Sequence, residues 1–449
     1  MTHVDVVIIG SGSAAQSAAF PCRKAGWSVA VIDSRPFGGT CELRGCEPKK
    51  ILANAVALVD WSQRMQGKGI SAPANSIAWS DLMRFKRSFT EPVPEQIEGG
   101  FDRVGIKSFH GRAHFIDANT LQVGDDTLTG RYIVIATGAR HATLHIPGED
   151  LLTTSTQFLD LETLPRRILF VGGGYIAFEF GQIAALAGAQ VQIVHHGAHA
   201  LNKFDPELVA QVIQTTEEMG ARVQTSSAVT AVERGDDGLR VHVQHEGQEQ
   251  ILDADMVVHA AGRVPEIADL QLETAGVAYT AQGISVNDYL QSVSNPAVYA
   301  AGDAVNSGGW ALTPVSNMQG KIAAQNMLKG NHIRPDYTGI PSIVFTTPTL
   351  ARVGLDEETA RSQGYDFTVH HEDTSQWYSA RRLQLSHTGF KILVEAETGH
   401  ILGAHLLGSH AEDIINIFAL AIRARVPATE LQHMIYSFPT AASDIPFML

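Results

Sequence analysis

This 449-residue chain contains two copies of one pattern, about 160 residues apart, in which a strand is followed by a glycine turn, a helix and a second strand. The repeat constrains the fold more than any other feature of the sequence. In the first copy, an apolar run over residues 4–9 enters the turn Gly-Ser-Gly-Ser-Ala-Ala at residues 10–15, and a second apolar run ends at Asp33. Glycines let the backbone approach a pyrophosphate at a helix N-terminus, and an acid about twenty residues later suits a ribose hydroxyl. Pro21 predicts a kink or an early end of the helix. The dinucleotide-site residues predicted here are Gly10, Gly12, Ala15 and Asp33.

The second copy begins with the apolar run at residues 167–171, continues through Gly-Gly-Gly-Tyr-Ile-Ala at residues 172–177, and ends with the strand at residues 189–194. Gly172, Gly174 and Ala177 are its predicted site residues. Two such units imply two bound nucleotides, one a prosthetic group and the other a diffusible carrier. That arrangement is typical of electron transfer.

Three cysteines, Cys22, Cys41 and Cys46, are too few for a structural disulfide framework. Residues five apart in a regular helix lie roughly 8–9 Å apart at Cα, whereas a disulfide needs about 4.4–6.8 Å. A bridge between Cys41 and Cys46 therefore requires a distorted helical start, which nearby glycines such as Gly45 permit. Lys49 and Lys50 would stabilise a thiolate. The alternative is a pair of buried structural cysteines.

Composition narrows the possible partners. The length predicts about three or four domains, and 44% hydrophobic with 18% charged residues is ordinary for a globular protein. A formal charge of −14 without a long basic cluster argues against nucleic acid and anionic membranes as partners. The first residues contain no basic region, and their apolar run is too short for a signal peptide or a membrane span. We therefore expect a cytoplasmic protein with a small-molecule substrate and a cysteine pair that cycles.

The thirteen residues at positions 38–50, Gly-Gly-Thr-Cys-Glu-Leu-Arg-Gly-Cys-Glu-Pro-Lys-Lys, resemble the active-site motif of the glutathione reductase-like flavoprotein disulfide reductases, the pyridine nucleotide-disulfide oxidoreductases. This resemblance implies an α/β fold with two Rossmann-like domains, the first for FAD and the second for NAD(P), and a C-terminal α+β dimerisation domain. It extends over almost all of the chain. Further matching segments are Ala136-Thr137-Gly138, Ala261-Gly262-Arg263-Val264-Pro265, Ala301-Gly302-Asp303 and Leu312-Thr313-Pro314-Val315.

The predicted organisation has four segments. They are a first FAD-binding part (residues 1–150), an NAD(P)-binding domain (151–265), a central FAD-binding part (266–335) and a dimerisation domain (336–449). The last segment has alternating strands and a mostly apolar helix over residues 413–424, which suggests a surface buried against another subunit. The alternative is packing within the chain. The family implies a homodimer whose active site is completed by the C-terminal segment of the partner.

The resemblance also implies roles for individual residues. Cys46 corresponds to the flavin-proximal thiol, and Cys41 to the interchange thiol that attacks the substrate. Lys49 corresponds to the lysine near the flavin, Glu179 to its acidic partner, and Tyr175 to an aromatic lid. The alternatives are exposed helix charges for Lys49 and Glu179 and core packing for Tyr175. The other cofactor contacts implied by the family motifs are Gly39, Thr40, Lys49, Ala136, Thr137, Gly138, Gly262, Arg263, Gly302, Asp303, Thr313 and Pro314.

The choice between NADPH and NADH depends on the end of the second strand of the second unit. An acid there would bind the ribose of NADH, and basic residues would bind the extra phosphate of NADPH. Residues 195–203 contain no acid and no arginine, which leaves His196 and Lys203 and favours NADPH. His195 or His196 with His199 could instead bind a metal, but a solvated loop is the preferred interpretation and we predict no metal ligands.

The C-terminal segment departs from the family. The family protonates the departing substrate thiolate with a His held by a Glu, and here Phe438 and Ser443 occupy those positions. Tyr436, His433 or Asp444 could replace the acid, or the substrate thiolate could depart unaided. No cysteine follows Cys46, so the C-terminal cysteine pairs of mercuric reductase and of the large thioredoxin reductases have no counterpart. The predicted function is reduction of a small disulfide. The alternatives are reduction of a metal ion such as mercuric ion, reduction of a quinone, or a non-catalytic role as a redox sensor.

Arg44, Arg381 and Arg382 are candidate contacts for an anionic substrate, with solvated surface positions as the alternative.

Overall fold

The computed structural model describes residues 1–71, 76–306, 308 and 311–449. Its strands are β1 (Thr2–Ile9), β2 (Val29–Asp33), β3 (Lys107–His110), β4 (Ala113–Asp117), β5 (Thr120–Val123), β6 (Asp126–Ile135), β7 (Ala139–His141), β8 (Arg167–Val171), β9 (Gln190–Val194), β10 (Ala221–Gln224), β11 (Ser227–Gly235), β12 (Gly238–His245), β13 (Gln248–Ala254), β14 (Met256–His259), β15 (Arg263–Pro265), β16 (Tyr279–Thr280), β17 (Gly283–Ser285), β18 (Val298–Ala300), β19 (Val305–Asn306), β20 (Ser342–Val344), β21 (Thr349–Gly354), β22 (Phe367–Asp373), β23 (Gly389–Glu395) and β24 (Ile401–Gly408). Its α-helices are α1 (Ser13–Lys24), α2 (Gly39–Arg44), α3 (Cys46–Arg64), α4 (Trp79–Thr90), α5 (Val93–Val104), α6 (Ser155–Phe158), α7 (Tyr175–Leu186), α8 (Pro206–Glu218), α9 (Thr313–Lys329), α10 (Glu357–Ser362), α11 (Tyr378–Arg381), α12 (Ala411–Ala424), α13 (Ala428–His433) and α14 (Ile445–Met448). Of the helices in these ranges, none combines the length and the apolar character needed to cross a lipid bilayer.

The chain divides into two compact units, each made of three segments. The first unit comprises Met1–Lys49, Arg84–Ala142 and Gly262–Tyr337, and the second comprises Lys50–Met83, Thr143–Ala261 and Thr338–Leu449. The chain therefore leaves and re-enters each unit.

The first unit is built around a sheet with the strand order β3-β2-β1-β6-β5-β4, to which β18 adds beside β6. Strand β1 lies parallel to both β2 and β6, and its residues Val6, Val7 and Ile8 are fully buried. Burial on both faces explains the continuous apolar run in the sequence. Helix α1 follows β1 and continues past Pro21 to Lys24, so the proline does not end the helix.

The turn after β1 is possible only because of glycine. Gly10 has φ +105°, and a Cβ added there would lie 2.3 Å from the carbonyl oxygen of Ala136. Its N–H donates to the Ile32 carbonyl at 2.7 Å, which closes the βαβ unit. Gly26, before β2, also has a positive φ of +91°, but a Cβ there would meet no heavy atom of the described residues within 4 Å.

The second unit repeats this turn in a parallel sheet of order β10-β9-β8-β14. Gly172 follows β8 with φ +126°, and a Cβ there would lie 2.3 Å from the Ala260 carbonyl oxygen. Its N–H donates to the Val194 carbonyl at 2.8 Å. Gly188, like Gly26, combines a positive φ of +101° with open space in the described structure. The two predicted dinucleotide folds are therefore present, and their turns are built alike.

The C-terminal part of the second unit is an antiparallel sheet of order β20-β21-β24-β23-β22. Helix α12 covers one face, where Ile415 and Phe418 are fully buried. Other apolar side chains of this part are exposed, namely Leu420, Ile435, Phe438 and Phe447. This α+β part completes the α/β fold class predicted from the sequence.

Candidate functional site

The two candidate redox cysteines lie on either side of a break between two helices. Cys41 belongs to α2, and Cys46 is the first residue of α3. Gly45 between them is not helical, with φ −143° and ψ −114°, and a Cβ there would lie 2.8 Å from the Thr40 carbonyl oxygen. Neither cysteine is in a disulfide, and the two thiols are hydrogen-bonded to each other. The expected distortion of the helical start is therefore located at Gly45.

The two thiols differ in their surroundings. Cys41 is partly buried and Cys46 is exposed, and the Cys46 sulfur lies 3.7 Å from the Thr313 hydroxyl. The hydrogen bond to Cys46, followed by burial, raises the pKa of the Cys41 thiol, and Thr313 opposes this shift. Burial alone raises the pKa of Cys22 to about 12, so Cys22 is an inert core thiol.

The cysteine motif packs directly on the first glycine turn. A Cβ at Gly39 would lie 2.4 Å from the Cα of Gly12, so two glycines predicted from separate motifs meet backbone to backbone. Asp33, at the end of β2, accepts hydrogen bonds from the Ser11 N–H at 2.9 Å and the Ser11 hydroxyl at 2.6 Å. The Arg35 N–H donates to its other oxygen at 2.9 Å. Ser11 was not predicted as a site residue, because serine is common in turns.

The remaining motifs of the first unit meet at the same turn. Ala15 is fully buried in α1, and a Cβ at Gly302 would lie 3.2 Å from the Cβ of Ala14. Burial raises the pKa of Asp303, and Arg263 opposes this. The Thr137 hydroxyl is buried and finds no hydrogen-bond partner among the described residues. A backbone cradle without room for Cβ atoms, together with such an orphaned hydroxyl, fits a bound dinucleotide.

The segment that follows Gly138 and the segment that follows Gly262 form a small two-stranded sheet. Strand β15 pairs with β7, the Ala142 N–H donates to the Gly262 carbonyl at 3.1 Å, and the Glu266 N–H donates to the Gly138 carbonyl at 2.9 Å. Arg263 donates to the Ala139 carbonyl at 2.5 Å. Thr313 and Pro314 form the first turn of α9, which places Thr313 beside both thiols.

Arg44 has a different environment from the solvated surface considered for it. Its Nε is buried without a hydrogen-bond partner in the part of the chain that the structure describes. Burial, and then the charge of Arg35, lower its pKa, while Asp33 and Glu266 oppose this. The half-buried guanidinium is a candidate ligand for an anionic group.

Exposure to solvent distinguishes between the alternatives considered for Lys49, Glu179 and Tyr175. Lys49 is 8% exposed and Glu179 1% exposed, so neither is a solvated helix charge. One Glu179 oxygen accepts the Phe345 N–H at 2.7 Å. Tyr175, the first residue of α7, is 49% exposed, so it is not a core residue. The Lys50 ammonium lies 4.2 Å from the centre of the Phe345 ring and 3.7 Å from Glu412, so its charge is paired within the second unit.

The second glycine turn is lined by its own loop. Gly174 precedes α7 as its N-cap, and Ala177 is fully buried in that helix. The His195 ring packs on this turn, where a Cβ at Gly173 would lie 2.5 Å from the ring. Burial, and then His196, lower the pKa of His195. His196 and Lys203 are exposed, and within the described ranges no group of three or more His, Cys, Asp and Glu side chains could hold a metal ion.

The C-terminal segment presents Phe438, which is 84% exposed. The Tyr436 hydroxyl donates to the Leu431 carbonyl at 3.0 Å. Burial raises the pKa of Asp444, and a hydrogen bond from Ser379 and the charge of Arg382 oppose this. Two of the three possible replacements for the missing acid are thus engaged within their own unit, whereas His433, the last residue of α13, is exposed.

Comparisons with known proteins agree with this architecture. The family model described as pyridine nucleotide-disulphide oxidoreductase matches residues 4–320, and the model of its dimerisation domain matches residues 340–448. The chain is 32% identical to a mercuric reductase of Staphylococcus aureus over 448 residues, which cover 98% of this chain and 81% of the relative. It is 32% identical to a glutathione reductase of Burkholderia cepacia over 445 residues, which cover 98% and 97% of the two chains.

The solved structures show the same likeness. The Cu(II) complex of RclA, an HOCl-induced flavoprotein disulfide reductase of Escherichia coli, matches with a TM-score of 0.88 and 28% identity, covering 100% of this chain and 99% of that one. The predicted resemblance is confirmed, and it holds although Phe438 and Ser443 stand where the family has its acid–base pair. The chain belongs to the glutathione reductase-like pyridine nucleotide-disulphide oxidoreductases, FAD-dependent enzymes that take electrons from NAD(P)H.

Proposed function

We propose that this enzyme reduces a small disulfide with Cys41 and Cys46 as its redox pair. The observation that carries the proposal is the hydrogen-bonded thiol pair at the Gly45 break, with Thr313 beside it. FAD, when bound, supplies the transfer of two electrons from the pyridine nucleotide to the cysteine disulfide. The residues proposed to hold FAD are those of the first unit: Gly10, Gly12, Ala15, Asp33, Gly39, Thr40, Lys49, Ala136, Thr137, Gly138, Gly262, Arg263, Gly302, Asp303, Thr313 and Pro314.

The cysteines then carry out thiol–disulfide exchange. The Cys41 thiolate attacks one sulfur of the substrate disulfide, forms a mixed disulfide and releases the first substrate thiolate. Cys46 attacks the Cys41 sulfur, releases the second substrate thiol and re-forms the Cys41–Cys46 disulfide. Two electrons leave the pair, and two protons are taken up by the two substrate thiols. Thr313 can donate a hydrogen bond to the sulfur that bears the charge.

The proton for the departing thiolate has no family donor, because a phenyl ring cannot supply one. Tyr436 and Asp444 are bonded within their own unit. We propose that the substrate thiol is acidic enough to depart as the thiolate, with the exposed His433 as the alternative proton donor.

Reduction of a metal ion is a second candidate function, since it needs no proton donor at this position. Phe438 favours it, and so does the likeness to a mercuric reductase and to RclA in its Cu(II) complex.

Other finer assignments belong to the same proposal. Lys49 would supply a buried positive charge to the FAD site, Glu179 would take the role of the family's acid, and Tyr175 that of its aromatic lid. The segments at residues 1–150 and 266–335 would form the FAD-binding domain, 151–265 the NAD(P)-binding domain and 336–449 the dimerisation domain of a cytoplasmic homodimer. The C-terminal segment of the partner would complete each active site. Gly172, Gly174, Ala177, His196 and Lys203 would bind the pyridine nucleotide, with NADPH preferred over NADH.

Thiol counting tests the proposed pair directly. The FAD-loaded protein is mixed anaerobically with NADPH or NADH, alkylated and analysed by mass spectrometry. We expect Cys41 and Cys46 to change together from disulfide to alkylated thiols, while Cys22 stays unmodified under native conditions. A pair that remains oxidised in the presence of both nucleotides would refute the redox path.

Turnover assays distinguish the two candidate functions. Wild type, Cys41→Ser and the control Cys22→Ala are assayed with glutathione disulfide, other small disulfides, Cu(II), mercuric ion and a quinone. Disulfide turnover that disappears only in Cys41→Ser supports the first function. Turnover of a metal ion without turnover of any disulfide supports the second.

A further inference from the structure

A row of four basic side chains crosses the C-terminal sheet of the second unit. Arg352 on β21 pairs in register with His405 on β24, His405 with Lys391 on β23, and Lys391 with His371 on β22. Residues directly opposite each other in neighbouring strands point to the same face. We call these four residues the basic row. The alternate positions of the same strands face α12 instead.

Most of the basic row is buried. Arg352 is 7% exposed, Lys391 6% and His405 1%. Charges in such positions require partners, because desolvation is costly. His405 donates through Nε2 to the Leu355 carbonyl at 3.0 Å, and burial lowers its pKa. Arg352 and Lys391 carry the permanent positive charges of the row.

Glu357 lies 3.7 Å from Lys391, and Asp356 lies 3.9 Å from Arg352. The other partners include groups of the segment that leads into α8. The Lys391 ammonium lies 2.8 Å from Asp205 and 2.9 Å from Glu207, and His371 lies 3.3 Å from Glu207. One Arg352 nitrogen donates to the backbone carbonyl of Lys203, and the other donates to the Gly354 carbonyl at 3.0 Å. The basic row thus holds a backbone carbonyl and two acids of one short segment.

That segment is the loop proposed to bind the phosphate end of the pyridine nucleotide. Its Leu201 N–H donates to the Gly173 carbonyl of the glycine turn at 2.8 Å. Asp205 caps α8 by accepting the N–H groups of Glu207 and Leu208. Lys203 lies between these two anchors, with its carbonyl on Arg352 and its side chain exposed. The loop is therefore held on both sides of its single lysine.

We propose that Arg352 is a positioning residue for the pyridine nucleotide, acting through Lys203 from the sheet of the C-terminal part. By holding the Lys203 carbonyl, Arg352 fixes the backbone from which the ammonium reaches the 2′-phosphate of NADPH. Lys391 supports it by anchoring Asp205. This inference rests on the proposed function in assigning Lys203 to that phosphate. The inference adds a role for Arg352, which lies about 150 positions after Lys203 in the chain, in discriminating NADPH from NADH.

The test measures binding to the FAD-loaded protein by calorimetry, with NADP⁺ and NAD⁺ as probes. For Arg352→Met we expect the dissociation constant of NADP⁺ to rise about three- to tenfold, the equivalent of one net hydrogen bond, while that of NAD⁺ changes less than about twofold. In a Lys203→Ala background, Arg352→Met should have no further effect on NADP⁺. The control is Arg240→Met, which removes an exposed arginine of the second unit paired with Glu233.

Hydrogen exchange supplies a second readout, since amides of residues 198–204 should exchange faster in Arg352→Met and not in Arg240→Met. If Arg352→Met does not fold, Asp205→Asn replaces it, because asparagine keeps the helix cap while losing the charge that faces Lys391. A selective rise in the dissociation constant of NADP⁺ of about twofold or more supports the proposal in that variant.

Three results would overturn the proposal. They are equal weakening of NADP⁺ and NAD⁺ binding, unchanged binding of both, and an effect of Arg352→Met that persists in full without the Lys203 side chain. A Lys203→Ala protein with unchanged NADP⁺ affinity would also overturn it, yet would leave the redox proposal intact provided that the thiol titration succeeds. Failure of that titration would instead reject the redox path alone.

Discussion

Replacing Gly10 by alanine should separate the conformational demand of the first glycine turn from its steric demand. Gly10 and Gly26 both have positive φ, at +105° and +91°, and an L-residue in such a conformation costs about 1–2 kcal/mol. Only Gly10 adds a clash, since its Cβ would lie 2.3 Å from the Ala136 carbonyl oxygen. Overpacking of this kind costs about 1–3 kcal/mol. We therefore expect Gly10→Ala to lower the free energy of unfolding by roughly 2–5 kcal/mol, and Gly26→Ala to lower it by about 1–2 kcal/mol.

The assay is the FAD-to-protein ratio after purification, together with the urea midpoint of FAD release. Gly10→Ala should purify with little FAD, because the alanine methyl group displaces the backbone that forms the cradle, and Gly26→Ala should retain it. Gly172→Ala and Gly188→Ala repeat the comparison in the second unit, where Gly172→Ala should lose NADP⁺ binding while keeping FAD. Equal FAD loss in Gly10→Ala and Gly26→Ala, or full FAD retention in Gly10→Ala, would refute the reasoning.

Three further predictions concern the thiols and two buried or paired acids. Reduced holoenzyme should be alkylated first at Cys41, because FAD would cover Cys46, although Cys46 is the more exposed of the two thiols. Initial labelling of Cys46 in a timed mass-spectrometric experiment would contradict this prediction. Glu179→Ala should be less stable than Glu179→Gln by about 1–3 kcal/mol, since an amide oxygen still accepts the Phe345 N–H. Hydrogen bonds from Arg167 hold the pKa of Asp255 below its usual value, so the pair stabilises the fold above about pH 4, and this contribution is lost as pH falls through the lower folded pKa. Asp255→Asn should accordingly be less stable than wild type at neutral pH and converge with it in acid, and a constant difference across an acid titration would argue otherwise.

Local patterns were sufficient to predict the glycine turns, because each depends on residues close together in the sequence. The strand before Gly10 and the acid at Asp33 belong to one βαβ unit. The break at Gly45 followed from comparing helix geometry with the length of a disulfide. Pro21 shows the limit of such rules, since tertiary packing keeps α1 helical beyond it.

Features that depend on distant pairings could not be predicted in this way. Arg352 and Lys203 meet only because a sheet strand packs against the start of α8, and the sequence offers no period that joins them. Tyr436 and Asp444 looked equally available as acids until their partners within the unit were known. For Arg44 the sequence left two interpretations open, an anion contact or a solvated surface position, because the burial of its Nε depends on tertiary packing.

The helix break at Gly45 makes the two sulfur atoms of a Cys41–Cys46 disulfide differ in reactivity. Cys46 opens a helix of 19 residues, whose N-terminus favours negative charge, whereas Cys41 lies within the short helix α2. In an exchange reaction the sulfur that carries negative charge more easily is the better leaving group. An incoming thiol should therefore attack the sulfur of Cys41 and expel Cys46. One non-helical glycine thus makes two chemically identical sulfur atoms unequal, and reaction in either direction would pass through Cys41.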